Sequence, residues 1–423
     1  MPHRLRPSPL SSLRPVCLAV ALAGVSGACA AEESPYYIGA SQTFTRDSNV
    51  FRQSEGGLVV HDYYSSTGLL GGIDKLFGRQ RVYLNGTAQA NRYHNERQLN
   101  NTSYSLSTGL DWETVERLSG TLRYDDSQSL ANYGATDLPG IITVKDIQTV
   151  RQASATARYG VGARVGVDGS VAHRSIAFSA SLDPRGYTEN VGSLGVTWGT
   201  TGVLTLGTAY RATKSDSPSA LIVPKILILP IPLPPAVPAF IPPVYGPDKV
   251  DRRDIDFTAN WVATGLSTIN ARLSATHQTH SDNRLPNFSG LTGAVIWDYK
   301  PTGKLTFKTS LTRDTGTETA FTSGYALNVL PTEVQSNRIN TIIGVDAAWE
   351  ATAKIRVIGG LRHSNSKQAA GGGSSSDSAN QYSLGVNYLP TRTISLGCNL
   401  AHETHSGVYT DNTASCTGQI TFR

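Results

Sequence analysis

Four histidines come in two pairs, His277 with His280 and His402 with His405. Pairs of imidazoles are ordinary metal ligands, but a spacing of three on an extended strand turns the two rings to opposite faces. That excludes a chelate within either strand. The sequence carries no G-x-S-x-G elbow, no Cys-x-x-Cys and no phosphate-cradling glycine loop. An enzyme is therefore not expected, nor a metal or another cofactor. A Ser–His–acid set of the kind used by a membrane lipase is left open, because such a set need not be contiguous. What the chain does offer is charge in alternate positions. Arg81, Arg123, Arg158, Arg164, Arg272, Lys308 and Arg356 share one parity in their segments with Asp111, Asp168, Asp256 and Asp346. The neighbouring residues of opposite parity are apolar.

That alternation needs strands to express it. Tyr382, Leu384, Val386 and Tyr388 alternate with Ser383, Gly385 and Asn387. After the turn Leu389-Pro390-Thr391-Arg392, Ile394, Leu396, Cys398 and Leu400 alternate with Ser395, Gly397 and Asn399. A period of two puts one set of side chains on each face of a strand. The whole chain repeats the pattern, and no helical segment is left to cover the apolar face. Lipid would cover it. The predicted fold is all-β: a transmembrane antiparallel up-and-down barrel of about eighteen strands, counted from the segments with this alternation. In that fold the charged parity lines a lumen. Short turns fall near Gly78, Val115, Val161, Thr201, Gly265, Thr302, Thr352 and Pro390. Long loops are predicted over Asp126–Lys145, Ala212–Val250, Asp314–Ser336 and His363–Ala379. Short turns belong in the periplasm and long loops outside, which places both termini in the periplasm.

The tryptophans follow the same logic. Trp112, Trp198, Trp261, Trp297 and Trp349 each precede a short turn on the apolar parity, and Tyr388 does likewise. Amphipathic rings favour the membrane boundary, so these six are expected to form the periplasmic girdle. Cys398 and Cys416 fall on the apolar parity of adjacent strands, a placement compatible with a disulfide in an oxidising compartment.

The ends and the composition agree with export. Arg4, Arg6 and Arg14 precede the apolar run Val16–Val25, and Ala28-Cys29-Ala30 offers a cleavage site. Residues 1–30 thus read as a signal peptide and 31–423 as the barrel, with Cys29 leaving a lipoprotein signal as the rival. The signal holds three arginines and no acid, so 34 of the 37 basic residues remain against 32 acids. This balance gives no reason to expect nucleic acid as a partner. Ten of the 21 prolines lie in 218–247, an apolar Pro-rich segment expected to be an extracellular loop insertion. Gly371–Ser376 reads as a flexible loop tip.

Asp47-Ser48-Asn49-Val50-Phe51-Arg52, Gly78-Arg79-Gln80-Arg81, Asn91-Arg92-Tyr93 and Leu110-Asp111-Trp112 together resemble the EpsL-type outer-membrane proteins of exopolysaccharide biosynthesis. The resemblance spans the mature chain and is densest before residue 126. It implies a Gram-negative outer-membrane location and a role in making or exporting exopolysaccharide. The function expected first is therefore a passive conduit for secreted polysaccharide, with outer-membrane lipid, the polymer and a periplasmic polysaccharide-export protein as partners. The alternative is a general or sugar-specific diffusion porin.

Overall fold

The computed structural model describes residues 34–423, apart from 55, 135–142, 161–163, 181–182, 201, 224–225, 228–239, 242–243, 316–338, 371–372 and 407. The signal segment 1–30 lies outside the described residues. So do the turn residue Val161 and almost all of the loop after Asp314.

The strands are β1 (Tyr36–Asp47), β2 (Asp62–Phe77), β3 (Gln80–Tyr93), β4 (Asn101–Glu113), β5 (Leu118–Leu130), β6 (Ile147–Tyr159), β7 (Val165–Phe178), β8 (Tyr187–Thr200) and β9 (Leu204–Val223). A short pair follows, β10 (Ile226–Leu227) and β11 (Phe240–Ile241). Then come β12 (Val244–Thr264), β13 (Ser267–His280), β14 (Phe288–Tyr299), β15 (Leu305–Asp314), β16 (Ile339–Glu350), β17 (Ile355–Ala370), β18 (Gly373–Tyr388), β19 (Ile394–His405) and β20 (Tyr409–Phe422). All but β10 and β11 belong to one 18-stranded sheet. Each strand pairs antiparallel with its sequence neighbours, β9 joins β12, and β1 also pairs with β20 from Ile38↔Phe422 to Asp47↔Thr413. The sheet is a closed barrel. Closure leaves no open edge, so every strand satisfies its backbone groups on both sides.

The two faces differ as the alternation requires. Ile38, Phe44, Leu69, Leu194, Phe257, Leu273, Leu291, Leu361, Leu384 and Leu400 are all more than half exposed on the outside. The opposite parity carries the charged, Ser and Thr side chains. At one end the connections are tight. Gly78 takes φ +63° between β2 and β3, a conformation that any side chain would strain. Gly120 of β5 sits under the Trp112 indole, and a Cβ there would lie 2.6 Å from the ring. The start of β1 and the end of β20 lie at this same end.

At the other end several strands outrun their expected lengths. Residues 212–223 and 244–250 belong to β9 and β12, not to a loop, and β5 continues to Leu130. Residues 363–370 and 373–379 form a hairpin of β17 and β18, so Gly373–Ser376 are strand residues rather than a loop tip. The reason is visible on the outer face: Lys214, Asp216, Lys249, Asp251 and Arg253 stand where apolar residues would mark a lipid-facing strand. Past the apolar belt both faces are wet, so the alternation vanishes while the hydrogen bonding continues. The Pro-rich segment begins and ends inside this extension. Pro218 and Pro247 fall where the β9–β12 register skips, between Asp248↔Ser217 and Gly246↔Ala220. A residue without an N–H is tolerated at such an irregularity.

Candidate functional site

Two stretches of the inner wall differ in burial. On the buried side, β9 supplies Arg211, β12 supplies Arg252, Asp254 and Asp256, and β15 supplies Asp314. Arg252 is fully buried. Its Nε and Nη2 donate to Asp254 at 2.9 and 3.0 Å, and its Nη1 donates to Asp314 Oδ1 at 2.6 Å. It also donates to Thr292 and Thr315. Arg211 donates to Asp256 at 3.1 Å and lies 3.5 Å from Asp254. Ser274 and Thr276 of β13 donate to Asp256 and Asp254. The Arg252 side chain therefore reaches from β12 across two strands to β15. Polar side chains lying flat in this way pave the wall from β9 to β15 and leave its charges internally balanced. Arg272 is buried in the same group.

A second stretch of the wall, β2 to β5, is open. Arg81 bonds Asp74 of β2 through Nε and Nη2 at 2.8 and 2.6 Å and lies 3.6 Å from Asp111. Arg123 bonds Asp125 at 2.7 Å. These pairs are 32–50 % exposed, with Ser107 of β4 opposite Asp125. Exposed pairs of this kind contribute little stability and remain available to solutes.

The remaining expected lumen residues fall as follows. Arg158 donates to Thr197 at 3.0 Å and stands opposite Asp168 in the register. Lys308 is flanked by Asp298 and Asp346, and Arg356 by Glu350 and Asn387. Arg164 is a correction. The strand begins at Val165, so Arg164 belongs to the preceding turn, and its guanidinium lies 5.4 Å from the ring of Trp198 on the outer face. The five tryptophans and Tyr388 all lie on the outer face near the tight-turn end, and Trp261 and Trp297 share one lateral row through Ile269. Cys398 and Cys416 are register partners on the outer face and form a disulfide.

Two groups escaped the sequence reading. Arg252 shares the parity of Asp254 and Asp256, so the alternation Arg-x-Asp-x-Asp would have revealed it. The second group closes the barrel seam at the far end. Arg52, at φ +53°, bonds Asp47 at 3.0 Å and Asp411 of β20 at 3.1 Å. Asn49 bonds the backbone of Gln53 and Thr410. Val50 and Phe51 pack with Leu99 and Tyr133, the Phe51 and Tyr133 rings lying 5.5 Å apart. Here the stretch Asp47–Arg52 ties β1 to β20 and to two other connections. Nearby, Asp146 accepts from Ala180 N and Ser179 Oγ at 2.8 and 3.2 Å. Burial, with the neighbouring Asp183 carboxylate adding to it, pushes the Asp146 carboxyl above its ordinary range.

Of the histidines, His280 Nδ1 lies 2.7 Å from Asp248 and its Nε2 lies 3.0 Å from Gln278, which leaves no ring nitrogen aimed at a nucleophile. His277 is on the other face, at Ser289. Among the described residues no group of three or more His, Cys, Asp or Glu is arranged to hold a metal.

No family model and no curated protein matches this chain. Its course is similar to that of several solved structures, among them an outer-membrane protein. OpdK of Pseudomonas aeruginosa is 11 % identical, covering 92 % of this chain and 98 % of its own, with a TM-score of 0.45. OpdQ of the same organism is 8 % identical, covering 93 % and 99 %, with a TM-score of 0.47. OccAB3 of Acinetobacter baumannii is 10 % identical, covering 92 % and 98 %, with a TM-score of 0.45.

Proposed function

We propose that this protein is a passive outer-membrane diffusion channel for small hydrophilic solutes. The observation that carries the reading is the sorting of faces. A closed sheet with its leucines and phenylalanines exposed outside and its charges inside is stable only where lipid wets the outside and water the inside. Residues 1–30 supply the export signal, the tryptophan row and Tyr388 sit at the periplasmic boundary, and the charged strand extensions stand outside the cell. The eleven residues expected in the lumen act as its wall, except Arg164. Because the paved side is internally neutral and the open side is paired, the channel discriminates weakly by charge. Purified protein in a planar bilayer should give steady single-channel currents with a cation-to-anion permeability ratio within about threefold of unity. Failure to insert, or insertion without conductance, refutes the reading.

A second reading, a conduit for exopolysaccharide served by a periplasmic export protein, is favoured by the stretch Asp47–Arg52. It is the same segment that carries the EpsL-type resemblance, and it shapes the outer mouth. Long neutral polysaccharide added to the bilayer separates the two. Sustained current block followed by passage supports the conduit, whereas unaltered current supports the porin. Loss of surface polymer on gene deletion would test the same point in cells.

A further inference from the structure

On the outer face near the long-loop end, a groove of about 770 Å³ crosses the seam of the barrel. Two lateral rows of side chains line it, and the register fixes both. One runs Cys398, Cys416, Phe44, Ser65 and Arg92, and the next runs Leu400, Ala414, Arg46 and Tyr63 before reaching His94. Small residues, Ala414 and Ser65, lie between larger ones and make the recess. A second groove of about 610 Å³ adjoins it and shares Arg46, Leu400 and Ala414.

Chemistry divides along the groove. Its membrane side is continuous with the apolar belt: Phe44 is 65 % and Leu400 58 % exposed. Its far side carries cations. The Arg46 guanidinium lies over the Tyr63 ring at 5.6 Å, and Arg92 is exposed with only the Asn91 carbonyl as a hydrogen-bond partner among the described residues. Among the described residues no carboxylate lines either groove. Elsewhere on the outer face Arg151 pairs with Asp126 and Arg253 with Asp251. Arg46 and Arg92 are two strands apart and offset by two residues, so their Cα atoms are separated by roughly 12 Å. Two unpaired guanidiniums at that span, above an apolar trough, match an anionic head group with two phosphates and several acyl chains.

We infer that this groove holds a phosphorylated glycolipid of the outer leaflet, its phosphates on Arg46 and Arg92 and its chains against Phe44 and Leu400. The occupant is a membrane lipid rather than free phosphate, because the cations border a surface that only acyl chains would cover. The inference rests on the membrane placement proposed above.

The test is a native mass-spectrometric titration of the full mature protein in detergent with a bis-phosphorylated, acylated glucosamine disaccharide. The wild type should bind it, and the double variant R46Q/R92Q should bind at least about tenfold more weakly, as expected for lost charge-assisted contacts. R253Q, which removes an arginine already paired, should bind as the wild type does. The dephosphorylated lipid should bind wild type and double variant equally weakly. Equal affinity of wild type and double variant for the phosphorylated lipid overturns the inference, as does its displacement by millimolar inorganic phosphate. Bilayer conductance of R46Q/R92Q should equal that of the wild type. A variant that conducts normally but has lost lipid affinity supports the site, whereas a wild type that binds lipid but does not conduct refutes only the channel reading.

Discussion

Arg252 is the side chain on which the paved wall depends, and replacing it by methionine should be costly. The residue is fully buried and donates six hydrogen bonds, four of them to carboxylates. Methionine fills much of the volume but leaves Asp254 and Asp314 without that cation. Breaking a buried ion pair by removing one partner costs about 3–5 kcal/mol. Two features pull the value to the lower end. Asp254 keeps Arg211 at 3.5 Å and the Thr276 hydroxyl, and Asp314 keeps the Thr315 amide. About 3 kcal/mol is therefore expected for Arg252→Met.

The fork geometry gives a sharper form of the argument. A lysine retains the charge but, as a single ammonium, cannot reach Asp254 and Asp314 in the way the guanidinium does. Arg252→Lys should lose about half as much, roughly 1.5 kcal/mol. Neutralising the partners should repair the damage: Arg252→Met combined with Asp254→Asn and Asp314→Asn should be more stable than Arg252→Met alone. Reversible urea unfolding in phospholipid vesicles, followed by tryptophan fluorescence, measures all three variants against the wild type. A loss below about 1 kcal/mol for Arg252→Met would show that the arginine is solvated or replaceable. No repair in the triple variant would show that the cost is packing rather than charge.

The seam and the loops supply the remaining tests. Phe51→Ala should destabilise by about 3–4 kcal/mol, because Phe51 anchors the buried cluster with Leu99 and Tyr133, and protease cleavage should concentrate in residues 48–61. Removing the Cys398–Cys416 bond by Cys→Ser at both positions should cost ~3 kcal/mol, because the bond constrains the unfolded chain over its 18-residue separation; reduced and oxidised melting temperatures of the wild type give the check. Asp146 carries a definite sign. Its carboxyl titrates above the usual range because the folded loop disfavours the charge, so its protonated form stabilises the loop. That stability is fully present below the unfolded value and is lost as pH rises through the raised one. Asp146→Asn keeps the acceptor oxygen for Ala180 and should abolish the dependence, which amide protection at Ala180 across that window would register.

How much of this was legible in the sequence depends on what water does at each level of the strand. Inside the apolar belt the two environments differ, so Leu384, Val386 and Tyr388 alternate with Ser383, Gly385 and Asn387, and strands, turns and tryptophan positions can be read directly. Above the belt the environments converge. Lys214 and Asp216 look like loop residues because nothing selects an oily side chain there, yet β9 and β12 remain hydrogen bonded to Val223 and Val244. Arg164 failed for the converse reason. Parity assigns a face only within a strand, and one residue before Val165 the chain is still turning. Parity assigns a charge to a face of its strand but not to a partner, since Arg252 meets Asp314 across two intervening strands and 62 residues of chain. The outer-face site was the least legible of all. Arg46 and Arg92 each look like an ordinary strand-end cation, and only the register that sets both beside Phe44, Tyr63 and Leu400 makes them one surface. The alternation thus reports which solvent a residue meets, and the assembly of distant strands decides which residues meet each other.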